Sequence, residues 1–146
     1  MRPLPSLALA CGLLALVSTA SPAPLLAQDA APATVERKAR GLPGKDIQVG
    51  VYVNVQPDCT SGNLPTLRLV RPPENGQVTI KQGKLSATNY KQCLALQVPG
   101  YVAFYRSKPD FVGDDSMIIE VKFPAGRTEL QQITVTIDGG PGGRKI

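Results

Sequence analysis

The sequence predicts an all-β domain, a two-layer sandwich of about seven strands, with a small β-barrel as the alternative. Three observations carry this. Apolar side chains recur at every second position: Ile47, Val49, Val51, Val53 and Val55; Met117, Ile119, Val121 and Phe123; Ile133, Val135 and Ile137. Period two belongs to a strand with one buried face, whereas a helix would scatter these residues around its circumference. Turn residues punctuate the stretches about every eight to twelve positions, and the domain has no helical apolar period.

The start of the chain is set aside before the strands are counted. Arg2 precedes an apolar run, LALACGLLALV from Leu7 to Val17. As a helix this run spans about 16 Å, short of the ~30 Å hydrocarbon core. It therefore reads as a signal peptide rather than a transmembrane segment. Cleavage near Ala27 is expected, because Pro22 and Pro24 disfavour processing after Ala20 or Ala23. Residues 1–27 form this signal and 28–45 a flexible leader, whose VERKAR has no apolar stripe to dock.

The domain is placed at 46–138, and it opens on DIQVGVYVNV. This is a half-buried strand with the valines inward and Tyr52 on the polar face. A loop carrying Cys59 leads to TLRLV, with Leu67 and Leu69 inward. RPPENG reverses the chain, since Pro72 and Pro73 set φ and Asn75-Gly76 accepts positive φ. QVTIK follows with Val78 and Ile80 inward, so the two stretches make a hairpin or a hairpin-like reversal. The segment from Leu85 to Gly100 carries Cys93 and is irregular, with a short strand at Leu94, Leu96 and Val98. YVAFYR is apolar on both faces and reads as a central strand.

Pro109 to Asp115 then makes a corner before the alternation of Met117, Ile119 and Val121. Pro124 to Arg127 turns the chain, and ELQQITVTI closes the domain. Leu130 is out of phase with Ile133, Val135 and Ile137, which predicts a bulge near Gln131 and Gln132. Residues 139–146, GGPGGRKI, read as a disordered tail.

Two fragments carry a resemblance. Pro73-Glu74-Asn75-Gly76-Gln77-Val78 is similar to the P-x-x-G-x-V reversal of bacterial cadherin-like and immunoglobulin-like surface repeats. Tyr105, Phe111, Gly113, Asp115 and Ser116 fall at the positions of those repeats' Y-x-P…F-x-G-x-D-S-F corner. The likeness covers about half the chain, from Leu67 to Ile137. This chain departs from the pattern in having a single divergent copy, an insertion with Cys93, and Met117 in place of an aromatic. The resemblance implies an immunoglobulin-like sandwich and an adhesive or scaffolding context, and it supplies no binding site.

The two cysteines after the signal, Cys59 and Cys93, are expected to form a disulfide, because an even count in an exported chain favours one. Their separation of 34 residues gives roughly 3–4 kcal/mol by the chain-entropy model. The net charge of +5 does not mark a nucleic-acid binder: nine Lys/Arg and nine Asp/Glu lie from Asp46 to Asp138, and the excess sits in the flanks.

Candidate chemistry is sparse. Asp110, Asp114 and Asp115 could contribute carboxylates to a Ca²⁺ shell, which takes six to eight oxygens. The structural alternative is favoured: Phe111 plugs the sandwich end, while Gly113 and Asp115 fix the corner, the carboxylate accepting backbone N–H bonds. The chain has no His, no G-x-S-x-G elbow and no phosphate loop before a helix, so no enzyme and no cofactor are expected. Tyr52 and Tyr90 are the candidate contact aromatics. The expectation is an exported, periplasmic or secreted, non-catalytic binding or structural module of the bacterial envelope. Its partner would be a protein or a polymer, with no nucleic acid. The alternative is a small periplasmic inhibitor or chaperone-like protein acting through a loop or a sheet edge. The Leu85–Gly100 region is the expected contact loop, because loops on a rigid sandwich carry function.

Overall fold

Seven strands and no helix make up the described residues, 31–87, 93 and 96–140, of the computed structural model. They are β1 (Ala33–Gly41), β2 (Asp46–Val53), β3 (Thr66–Arg71), β4 (Gly76–Ala87), β5 (Leu96–Ser107), β6 (Gly113–Lys122) and β7 (Thr128–Ile137). A four-stranded sheet has the order β1-β7-β6-β3 and a three-stranded sheet the order β2-β5-β4. The two sheets form an immunoglobulin-like sandwich, and no barrel closes. The expected signal peptide and the end of the tail, 141–146, lie outside the described residues.

The core follows period two. Met117, Ile119 and Val121 of β6 and Ile133, Val135 and Ile137 of β7 are fully or almost fully buried. They face Ile47, Val49, Ala103 and Tyr105 of the other sheet. β5 is the central strand of its sheet, between β2 and β4. It carries Pro99, normally excluded from a sheet centre. β2 reaches only to Gly100, so beside Pro99 there is just β4.

Three expectations are corrected here. The leader is not free chain: β1 runs parallel to β7 over nine residues. It has no apolar period to announce it: the ladder holds it on the edge, with Ala39 packed against the core and Val35 half-buried. Arg37, Lys38 and Arg40 of the basic flank therefore sit on a strand, and Arg40 pairs with Asp138 at 3.1 Å. The turn after β1, with Gly44 at φ 67°, then carries the chain across to the second sheet.

In β2, the five-residue alternation breaks. The register against β5 shifts between Gln48 and Gly50, a bulge at Val49. Ile47 and Val49 stay buried, but beyond the bulge the phase inverts: Val51 is 47% exposed and Tyr52 only 5%. A one-residue slip exchanges the two faces.

In β7, the expected bulge near Gln131 and Gln132 is absent. β6 and β7 pair in continuous register from Gly113–Ile137 to Lys122–Thr128. Gln131 itself takes the inward place in line with Ile133, Val135 and Ile137, and Leu130 lies on the other face.

Candidate functional site

The Tyr105–Asp115 corner is a closed polar network. Asp115 is buried beneath the Pro72–Asn75 reversal. Its Oδ1 accepts from the backbone N–H of Glu74 at 3.1 Å and of Ser116 at 2.9 Å. Its Oδ2 accepts from the Asn75 N–H at 2.8 Å and from the Tyr105 hydroxyl at 2.9 Å. Burial alone would raise the Asp115 pKa. The donors from Asn75, Tyr105, Glu74 and Ser116 outweigh it and hold the carboxyl below its ordinary value. The Tyr105 phenol moves the other way, raised first by burial and then by its bond to Asp115 and that carboxylate's charge. Gly113, at φ 129°, supplies a backbone conformation that side chains rarely adopt. Phe111 is partly buried against the core.

The three aspartates do not converge. Asp114 and Asp115 are neighbours on β6 and point to opposite faces. Asp114 accepts from the Thr136 hydroxyl at 2.6 Å on the outer face. Asp110 is exposed in the turn before β6. Among the described residues no three metal-ligating side chains come together. The candidate calcium set is therefore split by the alternation of the strand.

Tyr52, expected as an exposed contact, is a core residue. Its hydroxyl donates to Gln131 Oε1 at 2.9 Å across the two sheets, and burial raises its pKa. A Cβ at Gly50 would lie 2.5 Å from that hydroxyl, so glycine is what admits the ring. Tyr90 lies outside the described residues. No buried side-chain polar atom of the described residues lacks a partner.

Cys59 and Cys93 form a disulfide, with Cα atoms 5.5 Å apart. It ties the β2–β3 loop to the β4–β5 connection and is the chemistry of an oxidising compartment. Of the expected contact loop, 85–87 and 96–100 are strand. Leu85, Ser86 and Ala87 pair with Val98, Gln97 and Leu96, and between them only Cys93 is described.

Exposed apolar and cationic groups gather instead at the side of the sandwich bounded by β3 and β4. Leu67 and Leu69 of β3 pair opposite the core residues Val121 and Ile119, and Ile80 of β4 pairs opposite Ala103. They sit on the inner faces of the two sheets, yet Leu69 and Ile80 are each 37% exposed. A cleft of about 400 Å³ lies there, lined by Leu64, Pro65, Thr66, Leu67, Ile80 and Tyr101. On the outer face, next to the same edge, a groove of about 500 Å³ includes Gln77, Thr79, Lys81, Phe104, Arg106 and Lys108. Lys81 stands 5.2 Å from the centroid of the Phe104 ring.

Period two pointed to Ile80, Leu67 and Leu69 as inward. That Leu67 and Ile80 line an opening and Leu69 is exposed, rather than all three closing a core, depends on which strands end at the sheet edges. No helix among the described residues is long and apolar enough to cross a membrane.

No family model matches this chain, and neither does any curated protein sequence. Among solved structures it is similar to the solution structure of amebosin, at 9% identity and a TM-score of 0.40, covering 74% of this chain and 99% of that one. A likeness at that level carries no argument.

Proposed function

We propose that the chain is an exported, non-catalytic binding or structural module of the bacterial envelope, periplasmic or secreted, that contacts a protein or polymer partner. The observation that carries this reading is the open side between β3 and β4. Residues on the core-facing sides of both sheets, Leu69 and Ile80, remain exposed there beside Lys81 and its groove. Elsewhere the polar groups that could have served chemistry hold the fold together: Asp115 anchors the reversal, and Tyr52 bonds Gln131. The disulfide supports export, and the cadherin-like corner supports an adhesive or scaffolding setting. The reading assigns no cofactor and no nucleic-acid partner.

The second reading, a small inhibitor or chaperone-like protein, is favoured by the length of β4 as a sheet edge. Affinity capture from an envelope extract tests both, using wild type and Ile80→Asp with mass spectrometry of the retained material. Retention of a surface protein or polymer, lost in the variant, supports the module. Retention of one hydrolase or one unfolded client, lost in the variant, supports the second reading. Equal retention by both forms moves the site away from this side.

A further inference from the structure

We infer that β4 takes an additional strand: an extended peptide segment of another protein, alternating apolar and acidic side chains, pairs along its free edge. This rests on the reading of the chain as a binding module and names the class of partner. Four strands lie at sheet edges, β1, β2, β3 and β4, and three are poor templates. β2 is bulged at Val49. β3 is short, its register shifts between Leu69 and Arg71, and Pro72-Pro73 ends it. β1 is held on the edge by its parallel ladder to β7 and carries charges of both signs, Glu36 among Arg37, Lys38 and Arg40.

β4 differs on each count. It pairs with β5 without a register shift over all 12 residues, Gly76–Ala87, and contains no proline. In an antiparallel edge strand every second residue turns its N–H and C=O away from the sheet, free to pair with another chain.

The two flanks of that edge define the occupant. Side chains of an added strand would alternate between them. One set falls over the cleft of Leu64, Pro65, Thr66, Leu67, Ile80 and Tyr101, whose side chains are mostly apolar. The other lies on the outer face beside Thr79 and Lys81. β3 and β4 together carry Arg68, Arg71, Lys81 and Lys84 and no acid. Arg68 is already paired with Glu120 at 3.1 Å. By alternation Lys84 falls on the Ile80 side, so Lys81 is the cation of β4 on the outer flank. Asp46, which lines the same groove, is paired with Arg106 at 2.7 Å, and among the described residues no carboxylate lies within ion-pair distance of Lys81. Charge complementarity therefore asks for acids on the incoming strand. This chain's own segments outside the described residues do not fit: 88–92, 94–95 and 141–146 carry Lys91, Arg144 and Lys145 and no acid, and 1–30 carries a single acid, Asp29, so none alternates apolar with acidic residues.

The test uses the full chain, isotope-labelled, and a capped peptide of about ten residues alternating glutamate with valine. Controls are a scrambled peptide of the same composition, an alternating lysine–valine peptide, and glutamate–valine peptides N-methylated along one edge or the other. The alternating glutamate peptide is expected to bind and to slow amide exchange along β4. N-methylation of the edge facing β4 is expected to abolish binding, with the other edge tolerant. K81E is expected to weaken binding at least about tenfold, with the cooperative thermal melt of a folded chain retained. Equal binding of the scrambled or lysine peptide, or protection that spares β4, overturns strand addition. Capture of only a polysaccharide through the Ile80 side would overturn it too, leaving the binding-module reading intact. A chain that binds no peptide and retains nothing from extract overturns both.

Discussion

At the Tyr105–Asp115 corner a charge is buried and every oxygen of it is bonded, whereas between β3 and β4 apolar side chains on core-facing positions meet solvent. The two regions share the same core strands, because β6 carries Asp115 and also pairs with β3. The difference teaches where this fold spends its polar groups. A buried carboxylate is tolerable only with donors on both oxygens, and those donors pin the Pro72–Asn75 reversal to β6. The open side has no such constraint and leaves β4 free to pair.

The largest effect is expected at the corner. Asp115→Ala removes the acceptor of three backbone N–H groups and of the Tyr105 hydroxyl. It should cost about 3–5 kcal/mol in chemical denaturation, equally with calcium or with chelator. A melt governed by calcium and indifferent to the substitution would reverse the assignment of Asp115 to structure. Next comes the disulfide: replacing Cys59 and Cys93 together by serine should cost about 3–4 kcal/mol, measured by the same denaturation.

Tyr52→Phe leaves the buried Gln131 oxygen without its donor and should cost about 1–3 kcal/mol. Adding Gln131→Leu removes the orphan as well. The double variant should then be more stable than the sum of the two single changes implies. Simple additivity in that cycle would show that the two groups do not share their energy.

pH sharpens the contrast further. The Asp115 pKa is lower folded than its ordinary 3.8. Its contribution is therefore present above about pH 4 and is lost as pH falls toward the folded value. Asp115→Asn should flatten the acid limb of the stability curve. The Tyr105 pKa is raised above 10.0, so its contribution holds below pH 10 and is lost as pH rises beyond it. Tyr105→Phe should flatten the alkaline limb. The smallest effect belongs to the open side: Ile80→Thr should change stability by no more than about 0.5 kcal/mol. A loss of several kcal/mol there would mean that the edge is core after all.

Alternation along single strands was enough to place most of the sandwich. Met117, Ile119, Val121, Ile133, Val135 and Ile137 are inward, Cys59 bonds Cys93, and the turn at Gly113 joins β5 to β6. These follow from local rules: side chains alternate, glycine accepts positive φ, and exported cysteines pair. What escaped depends on neighbours remote in sequence. The bulge at Val49 exists because β2 must match β5, and it turns Tyr52 inward although the valines around it keep a perfect period. Gln131 is buried because Tyr52, 79 residues away, offers a hydroxyl. β1 has almost no apolar signal and is ordered by its ladder to β7. The opening beside β4 is likewise a property of strand order. By itself the sequence determined which residues could face a core. Only the tertiary structure decided which of them were covered, because burial depends on a partner that period two cannot name.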